Sequence, residues 1–80
     1  MTIAELNREI LTVVRDSTET EMEITEDTHL IRQMGLSSVE IMMMVSDLED
    51  AFGVEISASD LRHVQTVGDL CRVVADLLRR

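Results

Sequence analysis

Apolar residues recur along this chain with helical periodicity, and most sharply between residues 38 and 52. At about 100° per residue, Ile41, Met44, Val45, Leu48 and Phe52 fall on one arc. Val39, Met42 and Met43 fall on the other side, among Ser46, Glu49 and Asp50. The first arc predicts a buried stripe. The second is an apolar patch ringed by acids, and such patches commonly mark docking surfaces. Both ends of the helix are defined. Ser37 can serve as N-cap, with Glu40 three residues on completing a capping box, and Gly53 fits the left-handed residue that ends a helix.

The same reasoning predicts three more helices. Thr2 to about Arg15 forms the first: Thr2 and Glu5 have capping-box spacing, and Ile3, Leu6, Ile10, Val13 and Val14 share a face. After a short extended connector, Val54 to Ile56, a brief helix over Ser57 to Val64 starts near Ser57 or Ser59 and turns Leu61 and Val64 inward. Thr66 opens the last helix with Asp69 three residues on. Its stripe is Val67, Leu70, Cys71, Val74, Leu77 and Leu78, and Arg79 and Arg80 suit its negative end. Residues 16–33 lose the periodicity. Asp16, Glu19, Glu21, Glu23, Glu26 and Asp27 alternate there with Ser and Thr, a long acidic loop tacked down by Met22, Ile24, Leu30, Ile31 and Met34. Three main helices, one short helix and a long first loop make a small all-α four-helix bundle.

Composition narrows what such a bundle can do. Eighty residues leave room for a single domain, 1–80, with one core. That core is aliphatic and Met-rich, since Phe52 is the only aromatic against six Met. The single Cys excludes an internal disulfide and suits a reducing compartment. Sixteen acids against seven bases, all Arg, give a formal charge of −9. That excess argues against nucleic acid or an anionic membrane as partner and favours proteins with basic patches. The N-terminal stretch lacks the continuous apolar run of a signal peptide, and nothing approaches a membrane span, so a cytoplasmic monomer is expected.

Candidate chemistry centres on Ser38. It falls at the first helical position, where backbone N–H groups lack partners and the helix dipole is positive, a favourable field for a phosphate ester. The box with Glu40 assigns Ser37 to capping and frees the Ser38 hydroxyl. Met34-Gly35-Leu36-Ser37-Ser38-Val39, followed by Phe52-Gly53, resembles the prosthetic-group site of acyl and peptidyl carrier proteins. Ile24-Thr25-Glu26-Asp27-Thr28-His29-Leu30-Ile31 resembles the carrier lead-in, and Thr66-Val67-Gly68-Asp69-Leu70 the carrier opening of the last helix. Three departures stand out. Most carriers have Asp at the position of Ser37, Leu at Val39 and an acid at Met43.

The resemblance implies an acyl-carrier-like bundle that is not itself an enzyme. A phosphopantetheinyl transferase would attach 4'-phosphopantetheine from coenzyme A to Ser38. The arm's thiol would then carry acyl groups as thioesters between loading and accepting enzymes of fatty-acid, polyketide or related lipid biosynthesis. Val39, Met42 and Met43 would supply apolar contact at docking, beside Ser37, with Glu40, Asp47, Glu49 and Asp50 steering basic partners. An aminoacyl or peptidyl carrier, or an unmodified helical interaction module, are the alternatives. A hydrolase is disfavoured, because no His-Asp pair or nucleophile elbow accompanies the serine. No metal is expected: Met42, Met43 and Met44 have no His or second Cys nearby, and the acid run lacks calcium-loop spacing. Cys71 sits mid-stripe as a buried thiol, and His29 and His63 are ordinary loop or surface residues.

Overall fold

Four side chains start the four helices in the same way. In each, a Ser or Thr in extended conformation accepts the N–H three residues on, and the acid at that position accepts the cap's own N–H. The pairs are Thr2 with Glu5, Ser37 with Glu40, Ser57 with Asp60 and Thr66 with Asp69. The computed structural model describes residues 1–80. Its helices are α1 (Ile3–Thr18), α2 (Ser38–Phe52), α3 (Ala58–Leu61) and α4 (Val67–Arg79), with no strands. It is the all-α bundle the pattern predicts.

Ile10, Val14, Met44, Leu48, Val67, Leu70 and Val74 are fully enclosed at its centre. Leu6, Ile24, Leu30, Leu36, Val45, Ile56 and Cys71 complete the core. Ile41 and Phe52 lie at its margin, partly buried. All four main contributors to burial, α1, α2, α4 and the long loop, are therefore required before any one of them is dry. This is the usual condition of a domain this small.

Several expectations are corrected. The first helix runs three residues past Arg15, through Thr18, and ends on Glu19 at φ 52°. Thr18 Oγ1 donates back to the Val14 carbonyl at 2.7 Å, which satisfies the hydroxyl inside the last turn. Ile3, placed on the buried face by its spacing, is 64% exposed, and Leu78, at the end of α4, is exposed as well. Ile3 and Leu78 border the same surface hollow, between the start of α1 and the end of α4, which no third segment covers. In the loop, Ile24 and Leu30 anchor as predicted, but Met22 and Ile31 face solvent. The short third helix, capped by Ser57, spans only Ala58–Leu61 and stops before Val64. Tighter turn bonds, Arg62 N–H to the Ser59 carbonyl and Val64 N–H to that of Leu61, carry the chain onward.

The long loop is held by backbone pairing with the segment that opens α4. Leu30 N–H donates to the Gln65 carbonyl at 2.9 Å, Val67 N–H to Thr28 at 3.0 Å and Gly68 N–H to Glu26 at 2.7 Å. The last two are N–H groups of the first helical turn, which no intrahelical acceptor can serve. The Thr28 side chain is buried in the same seam, its Oγ1 accepting from Thr25 N–H at 2.8 Å. Gly68 is required for this approach: a Cβ there would lie 3.0 Å from the Glu26 carbonyl oxygen.

Candidate functional site

The segment anchored by Leu30 turns back on itself to reach α2. Gln33 and Met34 N–H both donate to the His29 carbonyl at 3.1 Å, and Gly35 N–H to Ile31 at 3.0 Å. Gly35 has φ +65°, and Leu36 beside it drops into the core. These contacts deliver Ser37 to the mouth of α2 in extended conformation. His29 Nδ1 accepts from Arg32 N–H at 3.1 Å, and His63 is exposed; neither lies beside a nucleophile.

At the mouth itself the two serines divide the work. Ser37 Oγ accepts from Glu40 N–H at 3.2 Å, and Glu40 Oε1 accepts from Ser37 N–H at 3.0 Å. The Ser37 backbone N–H, and then its hydroxyl, hold the Glu40 carboxyl below its ordinary range. Ser38 is exposed and its hydroxyl has no protein hydrogen-bond partner. The N–H groups of Ser38 and Val39 also lack a protein acceptor, whereas every N–H from Thr66 to Leu70 in α4 has one. The residues at the same first helical position elsewhere are Ile3, Ala58 and Val67. Ser38 is thus the one hydroxyl in the molecule set at a helix's first position, in the positive field of a 15-residue helix.

Along the outer face of α2, Val39 is 66% exposed, Met42 71% and Met43 58%. At spacings of three and four residues they touch one another on the helix surface. Met42 also forms the lip of a groove of about 400 Å³ between α2 and the 56–61 segment, floored by Val45, Ile56, Ala58 and Leu61. The acids predicted beside this face are distributed differently. Asp47 accepts from Ser17 Oγ of α1 at 2.5 Å, and Glu49 accepts from Ile56 N–H at 2.8 Å, bracing the connector to α3. Only Asp50 stands exposed without a side-chain partner. The sequence carries no local signal for those two internal bonds, which span 30 and 7 residues.

Cys71, on the inner face of α4, is buried, and desolvation, then the nearby Glu26 carboxylate, push its thiol up to about 11. A thiol so placed stays protonated and inert at neutral pH. No cluster of metal-ligating side chains forms anywhere in the fold.

Comparison with known proteins identifies what this geometry is shared with. Residues 8–74 match the family model described as the phosphopantetheine attachment site. An acyl carrier protein of Thermotoga maritima is 38% identical over 50 residues, covering 62% of this chain and 62% of that protein. Another from Saccharopolyspora erythraea is 34% identical over 58 residues, covering 72% of this chain and 61% of that one. A Caulobacter vibrioides chain assigned as an acyl carrier protein is 32% identical, with 74% and 69% covered. The aligned stretch thus spans a little over three fifths of the first two relatives. In three dimensions the fold superposes on a Mycobacterium tuberculosis chain assigned as an acyl carrier protein, with TM-score 0.82 and 28% identity. That match covers 89% of this chain and 96% of the other.

Proposed function

This chain belongs to the phosphopantetheine-attachment family of the acyl carrier proteins, and from that premise we propose that it is an acyl carrier whose arm is attached at Ser38. The family's group is 4'-phosphopantetheine, held covalently. The observation that carries the assignment to Ser38 is its exposed, unpartnered hydroxyl at the open N-terminus of α2. The site fits the group in charge as well as in access. A phosphodiester on Ser38 Oγ would meet the free N–H groups of Ser38 and Val39 and the positive end of the helix dipole.

Attachment requires Ser38 Oγ to lose its proton and bond to the phosphorus of coenzyme A's pantetheine arm, as the pyrophosphate link breaks and the adenosine bisphosphate leaves. A phosphopantetheinyl transferase supplies the base and the coenzyme. When bound, the group contributes a thiol on a long flexible tether, so that acyl cargo is delivered at high effective concentration to any docked enzyme. The chain itself supplies the attachment point, the docking face and the charge; it performs no catalysis. The groove lipped by Met42, one turn from Ser38, favours aliphatic over aminoacyl cargo, because its floor is hydrocarbon.

In this reading residues 1–80 are one carrier domain that acts as a monomer in the cytoplasm; no helix is long and apolar enough to cross a membrane. Its partners are the transferase and acyl-handling enzymes of fatty-acid, polyketide or related lipid synthesis, which approach the outer face of α2 from their basic sides. The test is intact mass after incubation with coenzyme A and a broad-specificity transferase. The wild type and Ser37→Ala should gain one phosphopantetheine, and Ser38→Ala none. A mass gain that survives in Ser38→Ala and disappears in Ser37→Ala would overturn the assignment.

A further inference from the structure

The acids of this protein are spread unevenly, and its C-terminal helix escapes their excess. Residues 1–61 carry three Arg against fourteen acids, whereas residues 62–80 carry four Arg against two. Two molecules of charge −9 repel over most of their surface. Along α4 they need not. Asp69, Arg72, Asp76 and Arg79 follow at spacings of three and four residues, which sets them in one ridge of alternating sign. Arg72, Asp76 and Arg79 stand exposed, while the Asp69 carboxylate is turned to the N–H groups of Gln65 and Thr66. Within the chain, Arg72 pairs with Asp69 and Arg79 with Asp76.

A groove runs along each side of the ridge. Ile3, Asn7, Cys71 and Ala75 line the one against α1, with Glu26 at its far end. It shares Ile3, Ala75 and Arg79 with the apolar hollow that Leu78 borders. His63, Val64 and Val73 line the other, beside the end of α3, with Asp60 at its edge. No residue between Asp27 and Ser59 lines either groove, so Ser38 and the outer face of α2 lie outside this surface.

The order of signs decides what fits the ridge. Read from Asp69 it runs minus, plus, minus, plus; read from Arg79 it runs plus, minus, plus, minus. A second copy laid antiparallel, about a two-fold axis between Arg72 and Asp76, sets opposite charges together throughout. Arg72 then faces Asp76 of the second copy, and Asp69 faces Arg79 of the second copy, each twice by symmetry. A parallel copy would set like on like. Going beyond the carrier reading, we propose that this protein pairs with itself through α4, each ridge seated in the α1-side groove of the other. The contacts of Arg72 with Asp76 fix register and orientation, and Ile3, Ala75 and Leu78 add hydrocarbon at the flank. Exposed ion pairs contribute little each. A contact confined to one 13-residue helix and its flank also falls short of the roughly 800 Å² per partner of stable complexes. The dilute protein therefore stays a monomer and pairs where it is concentrated, with both Ser38 hydroxyls outside the contact.

Sedimentation equilibrium of the whole chain tests this. The wild type should approach the mass of two copies with a Kd on the order of 1 mM. Arg72→Glu alone and Asp76→Arg alone should each weaken pairing by about tenfold or more, because each sets like charges together. Asp76→Arg lowers the net charge, so its loss of pairing cannot come from general repulsion. An equimolar mixture of the two variants should pair again, since one then offers two acids and the other two bases in the middle of the ridge. Ser38→Ala should pair as the wild type does, whether or not the wild type can be loaded, which keeps this outcome separate from the carrier reading. A wild type that stays single well above about 1 mM, an Asp76→Arg chain that pairs as well as the wild type, or a mixture no better than its components would refute the proposal. Loss of pairing in Ser38→Ala would refute it too, by placing the contact at the mouth of α2.

Discussion

Gly68→Ala puts two physical effects in direct opposition. On intrinsic preference alone the change should stabilise α4, because Ala is better than Gly within a helix by up to about 1 kcal/mol, and by less in a first turn. Gly68, however, is buried in α4's first turn, where its N–H donates to the Glu26 carbonyl at 2.7 Å and an added Cβ would sit 3.0 Å from that same oxygen. The oxygen belongs to backbone that cannot swing aside. It is tied on the same strip by Val67 N–H to Thr28 at 3.0 Å and Leu30 N–H to Gln65 at 2.9 Å. Relief of the clash must lengthen one or two of these bonds, at about 0.5–1.5 kcal/mol each. Against the small propensity gain we expect a net loss of about 1–2 kcal/mol, since both bonds sit in a dry seam. Urea titration should report it as a lower midpoint with unchanged slope, and melting as a fall of about 4–8 °C per kcal/mol. Hydrogen exchange at residues 67 and 68 should quicken before that of the α4 centre. The same strip leads into Gly35 and Ser38, so loading at Ser38 should slow in parallel. A Gly68→Ala variant as stable as the wild type, with those amides equally protected, would refute the close approach as a constraint.

Other perturbations test other layers. Leu48 is wholly enclosed while Ile41 is at the core margin, so Leu48→Ala should cost about 3–5 kcal/mol and Ile41→Ala no more than about 2; equal costs by urea titration would mean that α2 is rotated from the orientation described. The N–H groups of Gln65 and Thr66 hold the Asp69 carboxyl below its ordinary 3.8. Its contribution is therefore fully present above pH 3.8 and lost as pH falls through the lower folded value. The melting difference between wild type and Asp69→Asn should be constant near neutrality and vanish in strong acid, and a difference that persists there would contradict the linkage. Only two ion pairs form, Arg72 with Asp69 and Arg79 with Asp76, against a net charge of −9. Moderate NaCl or MgCl2 should therefore raise the melting temperature by screening the unpaired loop acids, and a flat salt series would show them to be compensated already.

What the chain determined by itself is what can be decided within a turn or two of helix. A cap and its reciprocal acid are three residues apart, so the starts at Thr2, Ser37 and Thr66 were legible without knowledge of anything distant. For the same reason the division between Ser37 as cap and Ser38 as free hydroxyl could be read directly, as could the outward turn of Val39, Met42 and Met43, which follows from helical angle alone. The tertiary structure decided where a stripe stops being covered and where a polar group finds a remote partner. Ile3 and Leu78 follow their stripes in sequence but line an open surface hollow between the start of α1 and the end of α4, and Met22 and Ile31 lie exposed on the loop. Asp47 and Glu49 have the spacing of surface acids. Only folding brings Ser17 and the Ile56 N–H within reach of them, so each carboxylate also braces a second segment. Burial and pairing at such positions depend on a second segment, and periodicity along one helix contains no information about where that segment ends.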